Sequence, residues 1–454
     1  MKKKRPAGSL CRTNSRVGAR WLEFHSHMWI ISMAQKRLAL VCQHFYPEMV
    51  STGMHMTELA RRLRKHNWNI TVYCAQPALE EGEDEVPAEM VHQGIQVRRV
   101  PTFGEQRDST VSRLILALTY LASTIRTLIR DRDTYDGLLV TTNPPFIGLA
   151  GYILSKAFGK PYVQLVYDVY PDIAEQLGVI KENGPISAIW ERLTRLMLKE
   201  AAGTVVIGRD MADLITEKMR RKDHGSIHLI PNWSDETVVE PISRDENPFR
   251  QEHDVGDRIL VQYAGRHGKT HNLEPLIEAA EKLKTQPILF QFIGGGDKKE
   301  KLKRMAAQRE LENVMFLPYQ PMEELDTVLA AADLSVVCLE SRFTGMSVPS
   351  KTYGIMASGT PILGFLDQNS EVGRTVQEND CGLVLEDPTG AEVAQCLRNL
   401  VDDIKYLQDM GGRGRQAFED QYTLAVAAKQ YDTVLKRYIY GRETIQVEAV
   451  KHSS

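Results

Sequence analysis

Short apolar runs alternate with amphipathic helical stretches twice along the chain, and this double alternation restricts its fold more than any other feature. The first series opens at Arg37-Leu-Ala-Leu-Val-Cys42. It continues through strands at 69–74, 95–100, 137–141, 162–167, 204–207 and 227–230, with helices at 55–65, 111–130, 147–157, 186–201 and 210–219. Apolar runs bounded by polar turns suit parallel strands covered on both faces. At 236–257 the pattern lapses into Pro241, Pro248 and many charges, which reads as a linker. A second series follows, with strands at 259–264, 288–293, 314–317, 334–339 and 361–365 and helices at 273–284, 298–309, 322–331 and 351–358. Strands alternating with helices form βαβ units and a parallel sheet. The expected class is therefore α/β, with two doubly wound, Rossmann-like domains at 35–235 and 258–425 facing a central cleft. Ligands of such sheets bind outside the carboxyl ends of the strands.

The remaining bulk properties fit that architecture. A chain of 454 residues is too long for one core and suits two domains of about 200 residues each. A net charge of −3 gives no reason to expect nucleic acid as a partner. The cysteines Cys11, Cys42, Cys74, Cys338, Cys381 and Cys396 include no C-x-x-C pair, and three of them fall in strand-like runs. Scattered buried thiols suit a reducing compartment, so the expected location is the cytoplasm. No run of about 18 uncharged apolar residues predicts a spanning helix; the longest candidate, 114–128, is bounded by Arg113 and broken by Arg126. Residues 1–34 differ from the rest: seven Lys/Arg precede the first acid, Glu23, with no signal-type apolar stretch behind them. They read as a disordered extension, a start upstream of Met33, or a basic arm for anionic lipid.

Chemistry concentrates at the strand ends. Arg266 and Lys269 follow the first strand of the second series, in Tyr263-Ala-Gly-Arg-His-Gly-Lys269. Cations there would offset phosphate charge on a leaving nucleotide; the alternative is a solvated basic turn. In Gly294-Gly295-Gly296-Asp297 the missing Cβ atoms let backbone approach a ligand, as they would in any tight turn. Gly345-Met-Ser-Val-Pro-Ser-Lys351 runs straight into a helix, with Ser350 as its expected N-cap, and a helix start welcomes phosphate. Lys351 in that first turn opposes the helix dipole, which points to an anion nearby. Gly53, before the first helix, would admit a phosphate or sugar from the opposite wall, or simply make a turn. Asp168 and Asp172 close a strand, where they would orient acceptor hydroxyls or cap the next helix. Asp131-Arg-Asp133 matches a D-x-D metal pattern but ends a surface helix, so it reads as a solvated charge cluster. No metal or other cofactor is expected.

Taken in order, these pieces resemble the family 4 glycosyltransferases, retaining enzymes of GT-B fold, and in particular their bacterial fucosamine-transferase-like branch in surface-polysaccharide assembly. The resemblance covers roughly residues 37–437. It rests on His44-Phe-Tyr-Pro-Glu48, Asp168-Val-Tyr-Pro171, Ile230-Pro-Asn-Trp233, Tyr263-Ala-Gly265, Phe316-Leu-Pro318, Ser347-Val-Pro-Ser-Lys351 and Ala357-Ser-Gly-Thr-Pro361. It implies a nucleotide-diphosphate sugar donor, commonly UDP-linked, on the second domain, and a lipid-linked or glycan acceptor on the first. Arg266 and Lys269 would hold the diphosphate and Gly265 and Gly295 the close backbone. Pro318 and Tyr319 would contact the base, and Ser347 to Lys351 the sugar–phosphate region. Asn143 and Asp168 would face the acceptor, and a last helix, 426–440, would cross back to the first domain ahead of a tail at 441–454. The chain departs from the family where a Glu-x₇-Glu pair is common, with Met346 and Gly354 in those places; Glu371 is the nearest carboxylate to take over ribose. Asn143 stands where some members carry histidine.

The mechanism so implied is same-face attack with the departing phosphate taking the acceptor proton. The rivals are a UDP-sugar 2-epimerase and a non-catalytic nucleotide-sugar-binding protein. Helix 111–130 carries an apolar stripe with Arg113, Arg126 and Arg130, which suits either core packing or an interfacial seat on anionic lipid as a peripheral membrane contact.

Overall fold

The computed structural model describes residues 36–48, 50–77, 86–103, 110–219, 227–400 and 403–441. The expectations for 1–34 and 442–454 lie outside them. The first half forms an eight-stranded sheet of β1 (Lys36–Val41), β2 (Trp68–Ala75), β3 (Glu89–His92), β4 (Ile95–Val100), β5 (Gly137–Thr141), β6 (Tyr162–Val166), β7 (Gly203–Val206) and β8 (Ile227–Leu229). Their spatial order is β3-β4-β2-β1-β5-β6-β7-β8, parallel except for β3, which runs antiparallel to β4. The second half forms a parallel six-stranded sheet of β9 (Ile259–Ala264), β10 (Ile288–Ile293), β11 (Val314–Leu317), β12 (Leu334–Cys338), β13 (Ile362–Phe365) and β14 (Gly382–Leu385), ordered β11-β10-β9-β12-β13-β14. The central strands are buried on both faces, from Leu38 to Val41 in one sheet and Ile288 to Ile293 in the other. That is why they read as unbroken apolar runs. Chain order reverses between β1 and β5 and again between β9 and β12, so each sheet has its ligand crevice at the carboxyl end of those pairs.

Three local expectations are corrected. The polar stretch 236–257 is not a loose linker: Asn247, Phe249 and Arg250 are buried, and the Arg250 guanidinium donates to Ala331 O, Gly256 O, Arg258 O and Asp333. Asp131 is buried rather than solvated, accepting from Tyr73 Oη at 3.2 Å and paired with Arg98 and Arg130. Those contacts hold its carboxyl below the usual range despite burial. Strands β3 and β14 were not expected, because β3 is a mostly exposed edge and β14 is half-covered throughout.

The helix Thr110–Arg130 lies on the first sheet through Leu116, Ala117, Tyr120 and Leu128, and Tyr120 Oη donates to Cys42 O and Tyr73 O. Among the described residues, Val111–Arg130 is one helix long and apolar enough to cross a membrane. These contacts make it part of the first domain. Its other face leaves Val111, Leu114, Ile115 and Leu118 exposed beside Arg113.

The chain ends its described course by crossing back. A bridge of Ser234 to Thr423 leads into the helix Leu424–Ile439, capped by Thr423 Oγ1 accepting from Val426 N at 3.2 Å. This helix packs on the first sheet: Trp68 Nε1 donates to Asp432 at 2.8 Å, and Arg37 N donates to Tyr440 Oη at 3.0 Å. Gly137 and Gly203, the first residues of β5 and β7, have no Cβ where Ile439 and Tyr438 lie against them.

Candidate functional site

The carboxyl ends of the two sheets meet. From the first sheet come the loop after β1, the helix Ser51–Arg64, and the turns after β5 and β6; from the second come the loops after β9, β10 and β12. Contacts join the walls directly: Ser51 Oγ lies 2.9 Å from Ser350 Oγ, Val169 N donates to Met346 O at 2.9 Å, and Gly345 N donates to Asp210 Oδ2 at 3.0 Å.

Lys351 is the centre of the second wall. It opens the helix Lys351–Ala357, and its Nζ stands 3.7 Å from the centroid of the Tyr263 ring, buried and without a hydrogen-bond partner. Desolvation lowers this ammonium from 10.5 to about 8. Gly265, at φ 134°, leaves room for it: a Cβ there would come 3.0 Å from Nζ. The neighbouring imidazoles carry no charge at neutral pH. Burial brings His267 down to about 4 and His271 to about 3, and Lys351 pushes both further in that direction. A buried ammonium without a hydrogen-bond partner, beside uncharged imidazoles and near further cations, suits an anion.

The glycine loop packs against the same place. Gly294 and Gly296 hold φ of 118° and 133°, and a Cβ on either would run into the carbonyl of Gly265 or His267. Gly295 between them accepts His267 N at 2.8 Å and lies under the Tyr319 ring, which is 61% exposed just after β11 and Pro318. Tyr319 is thus an exposed aromatic plate at the rim, its hydroxyl donating to Gly295 O at 3.4 Å. Arg266 is 68% exposed and reaches only Asp297, at 3.5 Å. Lys269 is exposed and pairs with no acid among the described residues. Both cations are free to turn toward a ligand.

Two expected roles do not hold. Ser350 does not cap its helix: its backbone is helical, its side chain makes no cap bond, and its hydroxyl faces Ser51. Glu371 is not open to a ribose. Its buried carboxylate accepts from Arg209 N and Nε, each at 2.8 Å, and Arg209 also binds Glu378 at 2.7 Å, so the group clamps the two halves together.

On the first wall, Gly53 is required by space: a Cβ there would sit 2.9 Å from Glu48 O and 3.2 Å from the His44 Cβ. Asn143 and Asp168 stand half-buried at the ends of β5 and β6. Asp168 N donates to Thr142 Oγ1, and burial raises its carboxyl while the Ser347 hydrogen bond draws it back. Asp172 does not cap but starts the short helix Asp172–Gln176 and pairs with Lys218 at 2.6 Å. Sequence reasoning missed Tyr263, His267 and His271 around Lys351, and the His44–Glu48 contact. A histidine beside a glycine in the turn after β9 is visible in the sequence; its burial is not.

Residues 52–233 match the family described as glycosyl transferase 4-like domain, and residues 243–417 match glycosyl transferases group 1. A probable glycosyltransferase, WbjE of Pseudomonas aeruginosa, is 30% identical over 65% of this chain and 73% of its own length. A putative colanic acid biosynthesis glycosyl transferase, WcaI of Escherichia coli K12, is 24% identical over 73% of this chain and 83% of its own. Among solved structures, Anabaena HepE in complex with UDP superposes with a TM-score of 0.66 at 14% identity, covering 88% of this chain and 99% of that one. Both halves of the fold and the sequence matches agree: the chain belongs to the family 4 glycosyltransferases and has the GT-B architecture.

Proposed function

We propose that this glycosyltransferase moves a hexose or N-acetylhexosamine-type sugar, with retention, from a UDP-sugar to a lipid-linked or polysaccharide acceptor in surface-glycan assembly, within the fucosamine-transferase-like branch. The observation that carries this reading is Lys351: a desolvated, unpartnered ammonium on the wall of the cleft needs an anion, and a nucleotide diphosphate supplies one. The relatives' names support the glycan context and the UDP held by HepE supports the base. In this reading Lys351, Arg266 and Lys269 hold the diphosphate, Gly265 and Gly295 let it approach the backbone, and Tyr319 and Pro318 frame the base. Ser347 and Ser350 flank the sugar–phosphate, with Gly53 admitting it from the other wall. Asn143 and Asp168 face the acceptor. No metal or other cofactor is required.

Breaking the anomeric bond gives an oxocarbenium-like centre and a diphosphate that gains charge. Cations fixed beside that diphosphate bind it more tightly in the transition state than in the ground state, each worth ~3 kcal/mol or about a hundredfold in rate. The acceptor oxygen attacks from the face the phosphate leaves, and a phosphate oxygen takes its proton. A thermal-shift screen of UDP-, GDP- and ADP-sugars, followed by nucleotide release with a membrane-lipid extract, tests the reading. Stabilisation by a UDP-sugar with lipid-dependent UDP release is expected; no response to any nucleotide sugar removes it.

The exposed face of Val111, Leu114, Ile115 and Leu118 beside Arg113 supports a peripheral seat on the cytoplasmic side of the membrane that carries the acceptor. In flotation with vesicles containing phosphatidylglycerol, Leu118→Asp should leave the protein at the bottom of the gradient while wild type rises. Equal flotation of the two would place the contact elsewhere.

A further inference from the structure

The first wall carries a pair of side chains that the donor reading leaves idle. His44 Nδ1 lies 3.0 Å from Glu48 Oε2, both side chains being mostly covered. Strands β1 and β5 are neighbours in register, with Val41 opposite Val140. His44 and Asn143 therefore each stand three residues past a matched pair, in the two loops that leave the switch point of the first sheet. His44 also touches the start of the helix Ser51–Arg64, since its Cβ is what a side chain at Gly53 would meet, and that helix reaches Ser350 through Ser51. This puts the imidazole on the wall facing the Lys351 loop. A carboxylate can only accept, so Nδ1 points its proton at Glu48 and Nε2 is the ring atom left for another partner. Nε2 makes no hydrogen bond among the described residues and is not among the buried atoms without partners, so it is not sealed from solvent.

We propose that His44 Nε2 accepts a hydrogen bond from a ring hydroxyl of the transferred sugar, and that Glu48 fixes the ring orientation in which it does so. His44 is then a specificity residue for the donor sugar and Glu48 a positioning residue. This rests on the donor reading above but concerns the opposite wall, away from the groups that hold the base and diphosphate. A buried acceptor held for one hydroxyl discriminates strongly, because a sugar lacking that hydroxyl leaves the acceptor unpaired.

The test compares wild type, His44→Phe, His44→Gln and Glu48→Gln, using the UDP-sugar that wild type turns over, its hydroxyl epimers, and UDP alone. UDP affinity should stay within about twofold in every variant, because the nucleotide lies on the other wall. His44→Phe should lower kcat/KM about 100-fold and flatten the preference among epimers, the scale expected for one lost polar contact to substrate. His44→Gln keeps an acceptor and should recover part of that loss, and Glu48→Gln should fall between it and wild type. Unchanged turnover and epimer preference in a folded His44→Phe would overturn the proposal. So would equal losses of UDP and UDP-sugar binding, which would mean that the pair only braces the loop. If wild type itself binds UDP but turns over no UDP-sugar with any lipid extract, the transfer reading falls and this assignment falls with it.

Discussion

Replacing Lys351 with methionine should make the free protein more stable and the enzyme far less active. Burial that lowers this amine from 10.5 to about 8 costs the folded state about 3 kcal/mol at neutral pH. Methionine keeps the length and the contact with Tyr263 and gives up the cation–π attraction, about 1–2 kcal/mol when desolvated. The balance favours the variant by about 1 to 2 kcal/mol, so its melting temperature should rise. Turnover should drop about 10²- to 10³-fold, as for loss of one group that stabilises transition-state charge. The pH dependence has a definite sign. The folded value lies below the unfolded one, so the unfolded chain binds more protons between about 8 and 10.5, and wild-type stability gains from this group as pH rises through that window. The variant lacks that gain. Affinity for UDP runs the other way: it needs the charged amine and should weaken above pH 8 in wild type alone. Scanning fluorimetry and calorimetric UDP titration from pH 7 to 10 read both. A lower melting temperature with unchanged turnover would mean that Lys351 is a structural residue.

The second large effect is expected far from the cleft, at Asp432. Its carboxylate accepts from Trp68 Nε1 and lies 2.8 Å from Lys436 and 3.6 Å from His66, all within the seam between the last helix and the first sheet. Asp432→Ala strands the buried indole N–H and takes a carboxylate from Lys436. Removing one partner from such a buried group costs about 3 kcal/mol or more. Asp432→Asn keeps an acceptor for Trp68 and should lose much less. Urea unfolding followed by tryptophan fluorescence would show the order wild type, Asn, Ala in midpoint. Coincident midpoints would show that the seam is held by apolar contact alone.

How far the sequence reveals this molecule depends on whether a feature is local. The central strands are legible because burial on both faces writes itself as consecutive apolar residues, as in Ile288 to Ile293. Gly294, Gly296 and Lys351 are legible because a loop between strand and helix confines them to the cleft. Glu371 was misread because its partner, Arg209, is 162 positions away and nothing near either residue signals the clamp. Asp131 was misread for the same reason, its partner Arg98 coming from strand β4, 33 positions back. Ser350 had the right type and place for a cap, but the approach of Ser51 from the other domain gives its hydroxyl another partner. Phe249 is hidden in a run of charges, and one apolar residue has no period to detect. Contacts between distant segments decide these cases, and periodicity carries no record of them.

The returning helix has a consequence for how the chain is made. The first sheet is complete at Leu229, whereas the helix that covers Gly137 and Gly203 begins at Leu424. A ribosome adding ~5–20 residues per second needs about 10 to 40 seconds to cover that distance. Throughout that interval the nascent first domain presents an uncovered apolar flank, a natural place for a holding chaperone to act. A ribosome stalled within the second domain would release a chain whose first half has every strand and no lid.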